Sequence, residues 1–375
     1  MKVLHLCSDY AGTPLYKDLV ESLDREGVQQ TIYVPVRSED LINKYRNPNL
    51  LGAKYYYSYI LNPYLRFNYF KKINKICEDV KSKIEYPSLD LVHAHFLFSD
   101  GGVAYKLKKD IGLNYIVTVR NTDIYAFFKY MIHLKNFGLK ILNNAQKIIF
   151  LSPTYKNVLF NKYVPKKYRK KLEEKSIIIP NGVNDFWLKN LSNTRKIIGI
   201  KIRLIYVGEF SKNKNIPAIV EVIDRLREKG KETQLTIIGQ YGDNVNKIQK
   251  LVSKRNKYIQ SFPRITKKNE LLYQYRKADI FIMPSFYETF GLVYLEAMSQ
   301  GLPIIYTKGQ GFAGYYMDGE IGYAVSPKNT DEIVKKVEMV VNKYEEISRN
   351  CINEVRNFTW EFIASKYTEL YKNVV

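Results

Sequence analysis

Two glutamates, Glu288 and Glu296, bracket a glycine in PSFYETFGLVYLEAMSQGLPII, the stretch from Pro284 to Ile305. An apolar run precedes them and reads as a strand, and the residues from Gly291 onward read as a helix. The first turn of a helix leaves backbone N–H groups without intrahelical partners, and aligned peptide dipoles add positive potential there. A phosphate at that point accepts from the N–H groups of Phe290, Gly291 and Leu292, and a glycine removes the side chain that would block its approach. Carboxylates are poor phosphate ligands but strong acceptors for hydroxyls. Glu288 lies in the loop beside the seat and Glu296 just over one turn into the helix. Two carboxylates can also act as acid and base across a glycosidic bond, and either alone is most simply a solvated surface acid. Taken together, the features fit a ligand with phosphate in its middle and hydroxylated rings at both ends, a nucleotide sugar.

Other residues fall at similar strand ends. GEFSKNKN supplies Lys212 and Lys214, cations for a phosphate. SDYAGTPLY brings Gly12, small enough for close ligand approach. VTVRNTDIY offers Arg120 and Asp123, which read equally as a structural ion pair or a helix cap. LVHAHF carries His93 and His95 with no third ligand in metal spacing, so both read as structural or cleft-lining. SFPRI, with Arg264 and Ile265, is the candidate contact for a nucleotide base.

These segments need a scaffold that presents strand ends. KVLHLC, QQTIYVPV, LDLVHAHF, NYIVTV, AQKIIFLS and KSIIIPNGV read as short buried strands separated by helices. The pattern restarts with KIRLIYVGEF, ETQLTIIGQYG, DIFIMPS and LPIIYT, and IGYAVSP and NTDEIVKKVEMVVNKYEEI complete the set. Alternation of this kind predicts mostly parallel sheets covered on both faces. The expected fold is α/β with two domains, residues 1–190 and 200–355, facing across a cleft. DFWLKNLSNTRKIIGI connects them, and an amphipathic helix over about 358–375 ends the chain.

The chain has 375 residues, enough for two domains, and its 46% hydrophobic and 26% charged composition is that of a globular protein. Cys7, Cys77 and Cys351 lie far apart, which argues against a disulfide framework and for a reducing compartment. MKVLHLCSDY lacks the pattern of a secretory signal, and no apolar run is long enough to span a membrane. The expected location is cytoplasmic, with contact at the inner face of the plasma membrane. Lysine and arginine number 59 against 37 acids, a net charge of +22 that favours anionic partners. Residues 44–83 and 155–175 interleave bases with aromatics, which suits an anionic membrane surface. The same mixture could hold RNA, but no nucleic-acid-binding motif accompanies it.

ETFGLVYLE, from Glu288 to Glu296, resembles the E-x7-E motif of retaining glycosyltransferase family 4. The surroundings agree: IPNGV at Ile179 to Val183, YVGEF…KNKN at Tyr206 to Asn215, ADIFIMPS at Ala278 to Ser285, EAMSQGLPII at Glu296 to Ile305, and the terminal FTWEFIASKYTELY. The resemblance implies the GT-B architecture of two Rossmann-like domains, with the last helix crossing back to the first. It implies that Glu288 contacts the donor sugar, Glu296 the ribose and Lys214 the diphosphate, that Gly12 belongs to the first-domain glycine loop, and that no metal cofactor is required. Three positions depart from the pattern. Glu209 stands where the family usually carries an arginine, Arg120 where it often carries a histidine, and Gly12 is single where many members have a glycine pair.

The resulting expectation is transfer of a sugar from a nucleoside diphosphate, UDP more than GDP, to a hydroxyl acceptor with retention. The catalytic set is Glu288, Lys214 and Arg120. Gly12, Glu296, Phe290, Gly291, Leu292, Arg264 and Ile265 bind the donor, and His95 and Asp123 face the acceptor or the cleft. The resemblance implies a glycan or lipid-linked glycan acceptor in cell-surface polysaccharide synthesis. A glycoside hydrolase, or a non-catalytic RNA- or lipid-binding protein, are the rival readings.

Overall fold

The structure, a computed structural model, describes residues 1–192 and 197–375. The chain forms two compact units. One comprises Met1–Gly182 with Trp360–Val375, the other Val183–Thr359.

The first unit is built on a seven-stranded sheet of β1 (Lys2–Leu6), β2 (Gln29–Val36), β3 (Ala53–Tyr59), β4 (Leu91–Ala94), β5 (Tyr115–Val119), β6 (Ile148–Phe150) and β7 (Ser176–Ile178). Their order is β3-β2-β1-β4-β5-β6-β7, with every pairing parallel. The second unit holds β8 (Ile202–Val207), β9 (Thr233–Ile238), β10 (Ile259–Phe262), β11 (Ile280–Met283), β12 (Ile304–Thr307) and β13 (Gly322–Val325). Their order is β10-β9-β8-β11-β12-β13, again all parallel. Central strands such as β4, β5 and β11 are buried along their whole length, as apolar runs covered on both faces must be. In each sheet the strand order reverses direction once, between β1 and β4 and between β8 and β11. Sites in open parallel sheets characteristically lie outside the carboxyl ends of the strands at such a reversal.

The expected α/β architecture is present, with two local differences. Residues 44–83, read as an interfacial stretch, contain β3 at the sheet edge and the helix Tyr69–Lys83. After β13 come two helices, Thr330–Asn342 and Tyr344–Glu354, broken at Lys343. The expected connection begins with the short helix Asp185–Lys189, inside the second unit, and its residues 193–196 lie outside the described residues. The chain passes between units at Gly182–Val183 and again at Thr359–Trp360. Val183 and Thr359 pair in an isolated bridge, and the Val183 N–H donates to Phe358 O at 2.8 Å.

The last helix, Trp360–Lys372, belongs to the first unit. Its Trp360, Ile363, Tyr367 and Tyr371 pack against Val3, Leu23 and Leu91 in one buried cluster. Among the described residues no helix is long and apolar enough to cross a membrane.

Candidate active site

The reversal between β8 and β11 brings together residues far apart in sequence. Lys214 ends a 3-10 turn in the loop after β8, and Glu288 lies in the loop after β11. Lys214 Nζ donates to Glu288 Oε2 at 2.7 Å, and the side chains are only 16% and 11% exposed. At such exposure the pair is largely shielded from solvent, so it interacts more strongly than a surface pair.

Two asparagines, absent from the site expected from sequence, fix this geometry. Asn213 Nδ2 donates to Tyr287 O at 2.9 Å, while the Tyr287 N–H donates to Asn213 Oδ1 at 2.9 Å. The Phe286 N–H donates to Asn213 O at 2.8 Å. Asn215 adopts a left-handed backbone with φ 53° and donates to Pro327 O at 2.7 Å. KNKN is thus a latch between two loops as well as a source of lysines. Its legible signal is the pair of asparagines between a strand and a helix, since Asn tolerates left-handed backbone and pairs with backbone groups. Gln310 and Gly311 were also missed. The Glu288 N–H donates to Gln310 Oε1 at 3.3 Å, and the Gly311 N–H donates to Glu288 O at 3.1 Å. A Cβ on Gly311 would lie 2.1 Å from Thr289 O, so only glycine fits there.

The helix Leu292–Ser299 begins where expected. Gly291 precedes it with φ 81°, and a Cβ there would sit 2.3 Å from the Tyr294 ring. Phe290 anchors the turn by burying its ring against Phe312 and Phe358. The amides of Phe290, Gly291 and Leu292 therefore lie on a rigid turn at the start of a helix, beside the Lys214–Glu288 pair.

Glu296 lies on that helix, and Tyr275 Oη donates to its Oε2 at 3.1 Å. Burial pushes its carboxyl up to about 7, against the opposing pull of the Tyr275 hydrogen bond, the Lys268 charge and Trp187. The carboxylate is the better hydroxyl acceptor, and near neutral pH the group is divided between its two forms. Nucleotide affinity is expected to rise severalfold as pH increases from 6 to 8, and Glu296→Gln should abolish the slope. Titration calorimetry at several pH values with a UDP-sugar, whose diphosphate does not titrate in this range, checks this, and a flat wild-type profile would refute it.

Other expected donor contacts occupy neighbouring strand ends. Arg264 is exposed beyond β10, with its guanidinium against the hydroxyl and ring of Tyr241, and Ile265 is half-buried beside it. Lys212 is exposed, and its N–H donates to Asp243 Oδ1 at 2.8 Å. Glu209 is exposed and accepts from Ser211 Oγ at 3.0 Å through its carboxylate.

In the first unit, Gly12 closes a short turn after β1. A Cβ on it would lie 2.2 Å from Asp9 Oδ1, so an acid of this chain already occupies the space the glycine leaves. Arg120 is buried. Its Nε donates to His95 O at 2.8 Å, and its guanidinium lies 5.0 Å from the Tyr16 ring centroid and 5.1 Å from that of Phe96. Asp123 is buried and accepts from the N–H groups of Leu97 and Phe98 at 3.1 Å and of Arg120 at 2.9 Å. It binds two strand-end loops together, the structural option offered by its sequence. Burial raises its carboxyl to about 6.

His95 and His93 are joined by a third histidine, His5. His5 and His93 face each other in the β1–β4 register, and His95 follows two residues on, so all three side chains share one face. His5 Nδ1 lies 3.0 Å from His95 Nε2. His93 contacts Tyr371 Oη at 2.7 Å and Thr118 Oγ1 at 2.9 Å. The three offer ring nitrogens within 4.8 Å of one another. Both His93 nitrogens are already partnered, and the Arg120 guanidinium adds positive charge nearby. This arrangement is a buried hydrogen-bonded network better suited to neutral imidazoles than to a cation.

Comparison with known proteins accounts for nearly the whole chain. The family described as Glycosyltransferase Family 4 matches residues 15–185, and that described as Glycosyl transferases group 1 matches residues 190–358. An alpha-monoglucosyldiacylglycerol synthase of Acholeplasma laidlawii is 26% identical over 317 residues, covering 78% of this chain and 77% of its own. Among solved structures, a sucrose-phosphate synthase from Thermosynechococcus elongatus superposes with a TM-score of 0.77 at 20% identity, covering 100% of this chain and 99% of its own. Anabaena HepE, solved in complex with UDP, superposes with a TM-score of 0.71 at 14% identity over 100% of both chains. These neighbours share the GT-B fold, and neither a hydrolase nor a nucleic-acid-binding reading gains support from them. With both halves matched in order, and with E-x7-E set on a glycine-started helix, the chain belongs to glycosyltransferase family 4 and is a sugar-transferring enzyme.

Proposed function

We propose that the enzyme moves a sugar from a UDP-sugar to a hydroxyl of a glycan or lipid-linked glycan, with retention of anomeric configuration and without a metal cofactor. The observation that carries this reading is the Lys214–Glu288 contact beside the start of the Leu292–Ser299 helix. Charge develops on the leaving diphosphate, and catalysis is most effective where donors already point at that charge. Lys214 and the helix-start amides supply them. Glu288, held next to Lys214, accepts from a hydroxyl of the donor sugar and orients its ring. The acceptor oxygen bonds to the anomeric carbon on the face the diphosphate leaves. The bond from that carbon to the phosphate oxygen breaks, and the acceptor proton passes to the departing phosphate.

The UDP bound by HepE supports the choice of nucleotide, and the glycolipid named in the Acholeplasma relative supports a lipid-linked acceptor. A thermal-shift screen of nucleotide sugars, followed by NMR assignment of the product anomer in the presence of EDTA, tests the reading. Stabilisation by one UDP-sugar and a product with the donor's configuration are expected. An inverted product defeats the retaining mechanism, and a rate abolished by EDTA defeats metal independence.

A further inference from the structure

Positive charge is concentrated in two stretches of the first unit. No aspartate or glutamate occurs from Leu41 to Cys77, nor from Ile124 to Leu172, and these stretches carry 7 and 11 lysines and arginines respectively. The fold brings parts of both together. Phe70 packs edge-on against Phe137 with ring centroids 5.2 Å apart, and Tyr69 lies 6.3 Å from Phe127. Lys135 then sits over the Tyr163 ring, whose residue leads into the lysine-rich helix Lys166–Glu174.

Large apolar side chains stand out from this junction. Phe67 is 89% exposed, Tyr130 69% and Ile132 68%, and Lys71 and Lys129 beside them are also exposed. Both segments follow carboxyl ends of strands, β3 and β5, the sheet edge on which this fold places its sites. Protruding rings set among cations suit a lipid interface, where the rings enter the headgroup layer and the ammonium groups meet phosphates. A nucleic acid would use the cations but gives no burial to an exposed isoleucine.

We infer that the face formed by Phe67, Phe70, Tyr130 and Ile132, with Lys71 and Lys129, docks the enzyme on an anionic membrane. The inference rests on the proposed lipid-linked acceptor and locates where the enzyme meets the bilayer that holds it. The test is co-sedimentation of the full chain with vesicles of phosphatidylcholine alone, or of two parts phosphatidylcholine to one part phosphatidylglycerol. Wild type is expected to bind the anionic vesicles, and to bind less as salt rises. Phe67→Ser/Tyr130→Ser/Ile132→Ser should weaken binding about tenfold, as should Lys71→Glu/Lys129→Glu, with the UDP-induced thermal shift unchanged in both. Equal weak binding to the two vesicle types, undiminished binding by the triple variant, or capture by polyuridylate in place of vesicles would each overturn the assignment. Loss of the UDP shift in wild type counts against the proposed reaction and leaves the vesicle result to be read by itself.

Discussion

Replacing Lys214 with alanine is expected to lower kcat by about 10²- to 10³-fold, the usual cost of removing one preorganised donor at a site of developing charge. Glu288→Gln should fall by a similar factor, because the same contact fixes both side chains. Each single change also leaves an uncompensated charge in a mostly shielded position, so each should destabilise the second unit. For a fully buried pair that penalty is about 3–5 kcal/mol; the residual solvent access of 16% and 11% lowers it to about 1–3 kcal/mol. The double variant Lys214→Met/Glu288→Gln separates the two effects. It carries no stranded charge, so its melting temperature should recover towards wild type while its activity stays lost. Steady-state rates and thermal melts on the four proteins check this, and single variants within threefold of the wild-type rate would remove Lys214 and Glu288 from the mechanism.

The second large effect is the cost of the buried histidines in acid. His5, His93 and His95 are buried, and burial pushes His5 down to about 3 and the other two well below the ordinary histidine value. The unfolded chain takes up protons on all three as pH falls through about 6.5, while the folded chain does not. Stability contributed by the neutral network is therefore complete above that pH and is lost as pH falls from there towards the folded values. Three such groups amount to about 4 kcal/mol per pH unit. Three buried acids act the other way. Asp100, Asp123 and Glu296 are raised by burial to about 8, about 6 and about 7, so the folded state holds protons that the unfolded state releases. Between about pH 6.5 and 5 they offset most of the histidine loss, so the network is read by comparison with a variant and not from the wild-type curve alone. Urea denaturation of wild type and His5→Gln across this range makes the comparison: the variant is expected to gain about 1.4 kcal/mol on wild type for each pH unit below about 6.5. A difference between the two that does not change with pH would show that His5 is not neutral in the folded state.

How much was visible in the residue order depends on the distance over which each feature is determined. The strands β2 and β11 and the helix after Gly291 are local, written in apolar runs and one glycine, and they read directly. The edge strand β3 did not, because its run of tyrosines is as consistent with an interface as with a strand, and only pairing with β2 decides. Glu288 and Lys214 were each nameable, but their contact is set by the β8–β11 reversal, which no window of sequence contains. His5 was overlooked for the same reason: its partners lie about ninety residues on, and only the β1–β4 register places them on its face. For Asp123 the sequence offered a structural role and a cleft role, and its three amide partners favour the structural one.

The terminal helix bears on the order in which the protein can be made. Trp360, Ile363, Tyr367 and Tyr371 fill the core beside β1 and β4, and Tyr371 also caps the His93 imidazole. A ribosome delivers those residues only after all of the second unit has been made. The opening half of the polypeptide must therefore wait, its seam uncovered, while the later half is synthesised and free to fold first.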